Sequence, residues 1–414
     1  MSPHSCFFCK SKKLEEVIDL GEMPLSHHLR KRINEQDLSF HIKYGICLDC
    51  GLLQISKSVP AEILYSSDTY TTGFQKPKHI EDLLTAANSY RNMSSALDIG
   101  CNDGQLLESL KKYGFDLTVG VEPNQHAANK TKNLGHIVYN NFLDKMLAEN
   151  IKQDHGCFDA IYARHVVEHI ENISDFYNCI QLLLAPDGIF VMEIPQVEVG
   201  FDYNSPVILW EEHVTYFTEG GAKKMLASQG FEVLCMRYYS YGGGSLAFIC
   251  KKNKKKPFKE KLDDKYDIKF FKKYDLNIRQ LKENLSSLIF SAKENGYDIA
   301  VYGAAPRSCT ILNYAELGRK IDYVIDDRED IQGRIMPGTE KYITSLKESN
   351  FGDRPLLVLL GVGAENEKRV LSKLSDKLNY APVNVSMFPP RDIWSSIELA
   401  KQIILQSNYN KQSG

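Results

Sequence analysis

Short apolar runs, separated by segments with one-face helical periodicity, fill the middle of the chain. Ser95–Ile99, Thr118–Val121, Phe158–Ala163 and Gly188–Ile194 read as strands. Their alternation with helical patterns predicts βαβ units and a parallel sheet across residues 61–250. Further along, Ile278, Leu281, Leu285 and Leu288 repeat at three and four residues, which predicts a long helix over residues 270–295. After it, Asp298–Tyr302, Ile321–Ile325 and Leu356–Leu360 predict strands of a second α/β unit within residues 251–414. Between the two blocks, the lysine-rich run beginning at Lys251 reads as a solvated, charged linker. Residues 1–60 follow neither pattern: they hold short strand-like runs and a turn at Gly21–Pro24.

Composition narrows the function class. The chain has 414 residues, 43% of them hydrophobic and 25% charged, enough apolar material for sizeable cores. A net charge of −3 gives no basic field for nucleic acid or an anionic membrane. No run is long and apolar enough to predict a membrane span, and the N-terminus lacks an apolar signal core. With ten cysteines, these features predict a cytoplasmic protein with reduced thiols, acting as a monomer or small homo-oligomer.

The run Ala96-Leu-Asp-Ile-Gly-Cys-Asn-Asp-Gly104 ends a strand and opens a helix over Gln105–Tyr113. Gly100 and Gly104 stand where a tight strand-to-helix turn needs no Cβ, and Asn102 is of the next residue type to tolerate left-handed backbone. Glu122 follows the next strand, about 20 residues on, where a carboxylate suits the two ribose hydroxyls of an adenosine. Asp98 and Asp103 would repel a pyrophosphate but accommodate the cationic methionine end of S-adenosylmethionine (SAM). The expected cofactor set is Asp98, Gly100, Cys101, Asn102, Asp103, Gly104, Glu122 and Pro123, with Phe142, Ala163 and Arg164 further along. A dinucleotide site would favour a third glycine.

Cys6-Phe-Phe-Cys9 and Cys47-Leu-Asp-Cys50 are two Cys-x-x-Cys pairs with 37 residues between them. Four thiolates suit tetrahedral zinc, and a closed four-ligand site is structural rather than catalytic. The fold class is therefore α/β: a Rossmann-type SAM-dependent methyltransferase domain, flanked by a small N-terminal zinc-binding module and a C-terminal Rossmann-like domain.

Two further motifs carry chemistry. Tyr162-Ala-Arg-His165-Val-Val-Glu168-His169 ends a strand, on the edge where ligands of such sheets bind. Trp210-Glu-Glu212-His213-Val-Thr-Tyr216-Phe217 sets a carboxylate and an imidazole in an aromatic stretch, a combination that can build a general base.

At these residues the chain resembles the sugar C-methyltransferases that act on nucleotide-linked 4-keto deoxysugars, a family that includes the enzyme of D-tetronitrose biosynthesis. The resemblance runs through Leu20-Gly21, Pro24-Leu25, the cysteine pairs, Ile99–Gly104, Glu122-Pro123, Leu184–Gly188, Glu212-His213, Gly242-Gly243, Tyr302–Ala304 and Arg334–Gly338. It implies SAM and structural zinc as cofactors, and a nucleotide-linked keto sugar as substrate. It also implies deprotonation at C3, next to the C4 ketone, and attack of the enolate on the methyl group. His213 then falls on the base, with Glu212 beside it, and His169 falls on a second active-site histidine. Tyr70 is the match for an active-site tyrosine, and Tyr65 is the alternative. Trp210, Gly243, Arg307 and Asn313 complete the expected substrate contacts with Tyr65; Trp210 replaces a tyrosine, and Arg307 is suited to a diphosphate. The competing functions are O- or N-methylation of a metabolite and, through the zinc knuckles, RNA modification.

Overall fold

The structure, a computed structural model, describes residues 5–66, 78–258 and 260–412; Tyr70 lies outside them. In chain order the strands are β1 (Leu14–Pro24), β2 (Ser39–Cys47), β3 (Leu53–Ile55), β4 (Ser95–Ile99), β5 (Leu117–Val121), β6 (Ile137–Tyr139), β7 (Phe158–Arg164) and β8 (Leu184–Pro195). They continue with β9 (Thr215–Tyr216), β10 (Phe231–Tyr239), β11 (Ser245–Lys252), β12 (Asp298–Tyr302), β13 (Tyr323–Ile325), β14 (Ile343–Thr344), β15 (Leu356–Leu360) and β16 (Val383–Ser386).

These strands form three sheets. The largest has the order β10-β11-β8-β7-β4-β5-β6. Strands β4 to β8 pair in parallel, as the strand–helix alternation requires, and the β10–β11 hairpin joins antiparallel to β8. From β4 the chain builds outward to β5 and β6 on one side, then returns to lay β7 on the other. The carboxyl ends of β4 and β7 thus flank a topological switch point, where loops diverge and a ligand crevice opens. Helices Ile80–Asn88 and Gln105–Tyr113 bury Leu83, Leu84, Leu106, Leu107 and Leu110 in one cluster with Ala96, Tyr162, Val191 and Ile249 of the sheet.

A second sheet, β14-β13-β12-β15-β16, is parallel throughout. The long helix runs over Ile268–Glu294, within two residues of the sequence expectation. It places Leu281, Leu285 and Leu288 in a core with Ile299, Val301, Leu357 and Leu359. Strand β13 begins two residues later than the apolar run suggests, because Ile321 N–H closes a 3₁₀ turn on the Gly318 carbonyl.

The third sheet, β1-β2-β3-β9, unites strands of the N-terminal region with Thr215–Tyr216. Among the described residues, no helix is long and apolar enough to cross a membrane.

The chain forms two compact units, and neither is continuous in sequence. One comprises Met1–Val17, Tyr44–Val197 and Glu212–Ile268; the other comprises Ile18–Lys43, Glu198–Glu211 and Lys269–Gly414. Polar contacts knit the pieces of the second unit together. Arg30 and Ile335 exchange backbone hydrogen bonds at 3.0 and 2.8 Å. The buried Arg30 guanidinium meets Asp37 at 2.7 Å, and Asp37 also accepts the Gly338 N–H. The buried Glu211 carboxylate accepts both the N–H and the hydroxyl of Ser26, which compensates its removal from water.

Candidate active site

Strand β4 stops at Ile99 because Gly100 turns into left-handed backbone at φ 72°, and Gly100 and Cys101 both donate N–H groups to the Val121 carbonyl. A Cβ on Gly100 would stand 2.6 Å from Val166 Cγ2, and one on Gly104 (φ 84°) 2.9 Å from Thr131 Cγ2. Asn102 is also left-handed, at φ 47°, with its carbonyl accepting the Thr131 hydroxyl. The loop is therefore a close-fitting backbone cradle. Gly100→Ala is expected to raise the dissociation constant for SAM at least about tenfold, by adding a left-handed penalty of 1–2 kcal/mol to the clash with Val166. Isothermal titration calorimetry reads this directly.

Glu122, 4% exposed, grips both sides of the crevice: Oε2 accepts Asn102 N–H at 2.9 Å and Oε1 accepts Asn124 N–H at 2.7 Å. Burial pushes it up to about 7 despite these two amides, with Asp103 adding to the rise. Burial likewise pushes Asp98 up to about 7 against the charge of Arg164, and raises Asp103. Three carboxyls with suppressed ionisation at one loop form a site that a cation completes. The glycine cradle and this acid cluster fit the adenosyl and methionine parts of SAM.

The remaining expected cofactor residues divide. Cys101 is buried, with its Sγ 2.6 Å from where a Cβ on Gly120 would stand, so it packs the loop onto β5. Ala163 is buried near the end of β7, in register with Ile99. Pro123 is half-buried, and Phe142 is exposed with its ring 5.8 Å from that of Tyr65. Arg164 instead donates its Nε–H to Glu193 at 2.6 Å.

That pair belongs to a network which sequence reasoning missed. Glu193, fully buried on β8, also accepts from the Ser245 hydroxyl at 2.6 Å and meets His79 Nε2 at 2.9 Å and His165 Nε2 at 3.6 Å. Burial works against its charge, but Arg164 and the two imidazoles hold its carboxyl well below the usual range. Burial also opposes charge on His165, yet Glu168 and Glu193 carry it up to about 9. A lone carboxylate inside the apolar run Ile189–Ile194 was the available signal, since a buried charge requires partners.

Past β7, His165 adopts left-handed backbone at φ 52° and the chain enters a 3₁₀ turn, Val167–His169. Val214 N–H donates to the Glu168 carbonyl and the Thr215 hydroxyl to that of Val167, which draws the Glu212–Thr215 segment onto this turn. The rings of His169 and His213 consequently meet edge to face at 5.1 Å. His169 Nδ1 lies 2.9 Å from the Glu212 carbonyl, so Glu212 contributes its backbone to His169. Burial lowers both imidazoles; His213 falls well below the usual range because the neighbouring His169 and His165 add to the effect. Tyr65 stands 6.4 Å from His169, ring to ring. Gly243 lies in the left-handed Gly242–Gly244 turn, next to Tyr241, whose ring is 5.5 Å from that of His165.

The four cysteines converge as their spacing predicts. Cys6 Sγ lies 3.6 Å from Cys50 Sγ and Cys9 Sγ 3.5 Å from Cys47 Sγ, with no disulfide. Both knuckles turn through a left-handed residue just after their second cysteine, Lys10 and Gly51. Sulfurs sharing one zinc at about 2.3 Å stand roughly 3.8 Å apart, so the set fits zinc and leaves no open position.

The other expected substrate contacts lie in the second unit. The Trp210 ring is 5.7 Å from that of His27. Asn313 donates its amide to the carbonyls of Cys309 and Pro337, a scaffolding arrangement. Arg307 stands in the first turn of helix Pro306–Tyr314, its guanidinium 4.5 Å over the Phe388 ring, with its pKa lowered to about 10 by burial against the charge of Glu365.

Three families match successive parts of the chain: a zinc binding domain over residues 6–65, a methyltransferase domain over 74–236 and a C-methyltransferase C-terminal domain over 240–361. The C-methyltransferase NovU of Streptomyces niveus is 22% identical over 83% of this chain and 86% of its own. The three matched domains and this likeness together support a place among the C-methyltransferases. The methyltransferase also shares 32% identity with the mitochondrial ubiquinone biosynthesis O-methyltransferase of Rattus norvegicus, over 25% of this chain and 32% of that one. Among solved structures, a SAM-dependent methyltransferase from Archaeoglobus fulgidus matches 43% of this chain and 95% of its own, at 17% identity and a TM-score of 0.36. SAM and zinc are the methyltransferase's cofactors, and its chemistry is SAM-dependent C-methylation.

Proposed function

We propose that the methyltransferase acts on a nucleotide-linked 4-keto-6-deoxysugar and methylates C3 through an enolate. The observation that carries this reading is the His169–His213 pair, a half-buried and a buried imidazole held neutral beside the cofactor loop. Methyl transfer to carbon needs a carbanion, and a carbanion needs a base; a neutral, desolvated imidazole supplies one. SAM, when bound, supplies an electrophilic methyl group. His213 takes the C3 proton, and burial keeps it ready to do so at neutral pH. Tyr65 beside His169 is the tyrosine we assign to the sugar. Within the second unit, Arg307 in the first turn of the helix after β12 stands at that sheet's own switch point.

A second reading exchanges the histidines. The Glu212 carbonyl can only accept, so His169 carries its proton on Nδ1 and its lone pair on Nε2, an oriented base.

The test is incubation with a nucleotide-linked 4-keto-6-deoxysugar in heavy water without SAM, followed by NMR. Exchange at C3 supports the enolate; methylation of a hydroxyl without any exchange would overturn it. Comparing His213→Asn with His169→Asn assigns the base. Because burial depresses both imidazoles, protonation disables the base only at acidic pH. The acid limb of kcat/KM is therefore expected below pH 6.5, the ordinary histidine value; a limb above 6.5 contradicts a neutral buried base.

A further inference from the structure

Glu168 is a buried carboxylate that the proton transfer does not use. Its side chain is 4% exposed. Oε1 faces His165 Nδ1 at 3.3 Å, and among the described residues Oε2 is buried without a hydrogen-bond partner. A lone pair in that position is unfavourable unless a ligand completes it. One oxygen of Glu168 and one nitrogen each of His169 and His213 lie within 4.8 Å of one another.

We propose that Glu168, His169 and His213 form a second divalent-cation site, suited to zinc or cobalt, whose occupation blocks proton abstraction. Two imidazoles and a carboxylate are a ligand set that such ions accept, and three protein ligands leave an exchangeable fourth position. Donors on a tetrahedral ion stand about 3.4 Å apart, so small side-chain rotations close the set. Outer contacts of the kind that orient metal ligands are already in place: the Glu212 carbonyl holds the Nδ1 side of His169, and His165 holds one oxygen of Glu168. The turn that carries Glu168 and His169 is fixed through its backbone by Val214. A bound cation occupies the nitrogen lone pairs that a base needs, so cation and substrate proton compete for the same electrons. The inhibitory half of this inference rests on the base reading above; the binding half does not.

The experiment uses full-length protein whose cysteine site is filled with one equivalent of zinc. Cobalt(II) is added and followed by equilibrium dialysis and visible absorption, with retained zinc measured by elemental analysis. One further equivalent is expected, with ligand-field bands and no thiolate charge transfer. Glu168→Gln and His169→Asn are each expected to weaken it at least about tenfold, with circular dichroism and SAM binding establishing that each variant is folded. Absence of a second equivalent, or affinity in both variants equal to that of the unchanged protein, overturns the site. Zinc is then titrated into the C3 exchange assay: slowing that a chelator reverses supports competition, and exchange unaffected by a bound cation overturns it. A protein that binds the second cation but never exchanges C3 keeps the site and loses the enolate reading.

Discussion

His213→Asn is expected to lower both C3 exchange and methyl transfer by about 10²- to 10⁴-fold, the range that a positioned general base supplies. The dissociation constant for SAM should stay within about twofold of the unchanged protein, because the cofactor loop Gly100–Gly104 and Glu122 is held through Val121, Asn124 and Thr131. His169 is held low by burial and by His165, and removing His213 changes neither directly, so residual exchange in the variant is expected to keep its acid limb below pH 6.5. Single-turnover methylation and NMR exchange, measured across pH, check both parts. A variant that loses SAM binding together with exchange would make His213 a scaffold residue.

Stripping zinc from the cysteine site, or replacing Cys47 by serine, is expected to abolish C-methylation although the metal touches no reacting atom. A structural zinc of this kind contributes about 10–16 kcal/mol of binding free energy to the fold that surrounds it. The knuckle of Cys47–Cys50 leads directly into β3. β3 pairs with β9 through Leu53–Tyr216 and Gln54–Thr215, and Ile55 N–H donates to the Val214 carbonyl next to His213. Loss of the knuckle therefore releases the segment that sets the position of the base. Hydrogen exchange should rise over residues 44–55 and 213–217, while the core around β4, β5 and β7 stays protected and SAM still binds. Full activity after complete zinc removal would contradict this.

Much of this site was legible in the sequence because local chemistry dictates it. Gly100, Asn102 and Gly104 are residue types that left-handed backbone demands, and all three adopt it. Cys-x-x-Cys spacing brings two sulfurs together whatever the rest of the chain does. What sequence alone conceals is pairing between distant segments. Glu212 and His213 are neighbours, and in sequence the pair says only that a carboxylate stands beside an imidazole. The structure adds the Glu212 backbone carbonyl on His169, 43 positions away. His79, Arg164, Glu193 and Ser245 lie on four separate segments, and no periodicity links them. The Asn313 amide donates to the Cys309 and Pro337 carbonyls, the second of them 24 positions away and without a sequence signal.

The chain passes from one compact unit to the other after Val17, Lys43, Val197, Glu211 and Ile268. This governs the order of events during synthesis. Residues 18–43 leave the ribosome early, with Ile18, Leu20, Met23 and Leu25 destined for burial, but most of the unit they join has yet to be translated. Until then those apolar side chains need a temporary cover, such as a chaperone. For the same reason, a gene cut at the start of the basic linker does not release a finished catalytic half. It leaves two orphaned stretches, 18–43 and 198–211, attached to it. Exchange of C-terminal halves between relatives would have to carry both stretches along, so recombination at a single breakpoint is an unfavourable route to new specificity in this architecture.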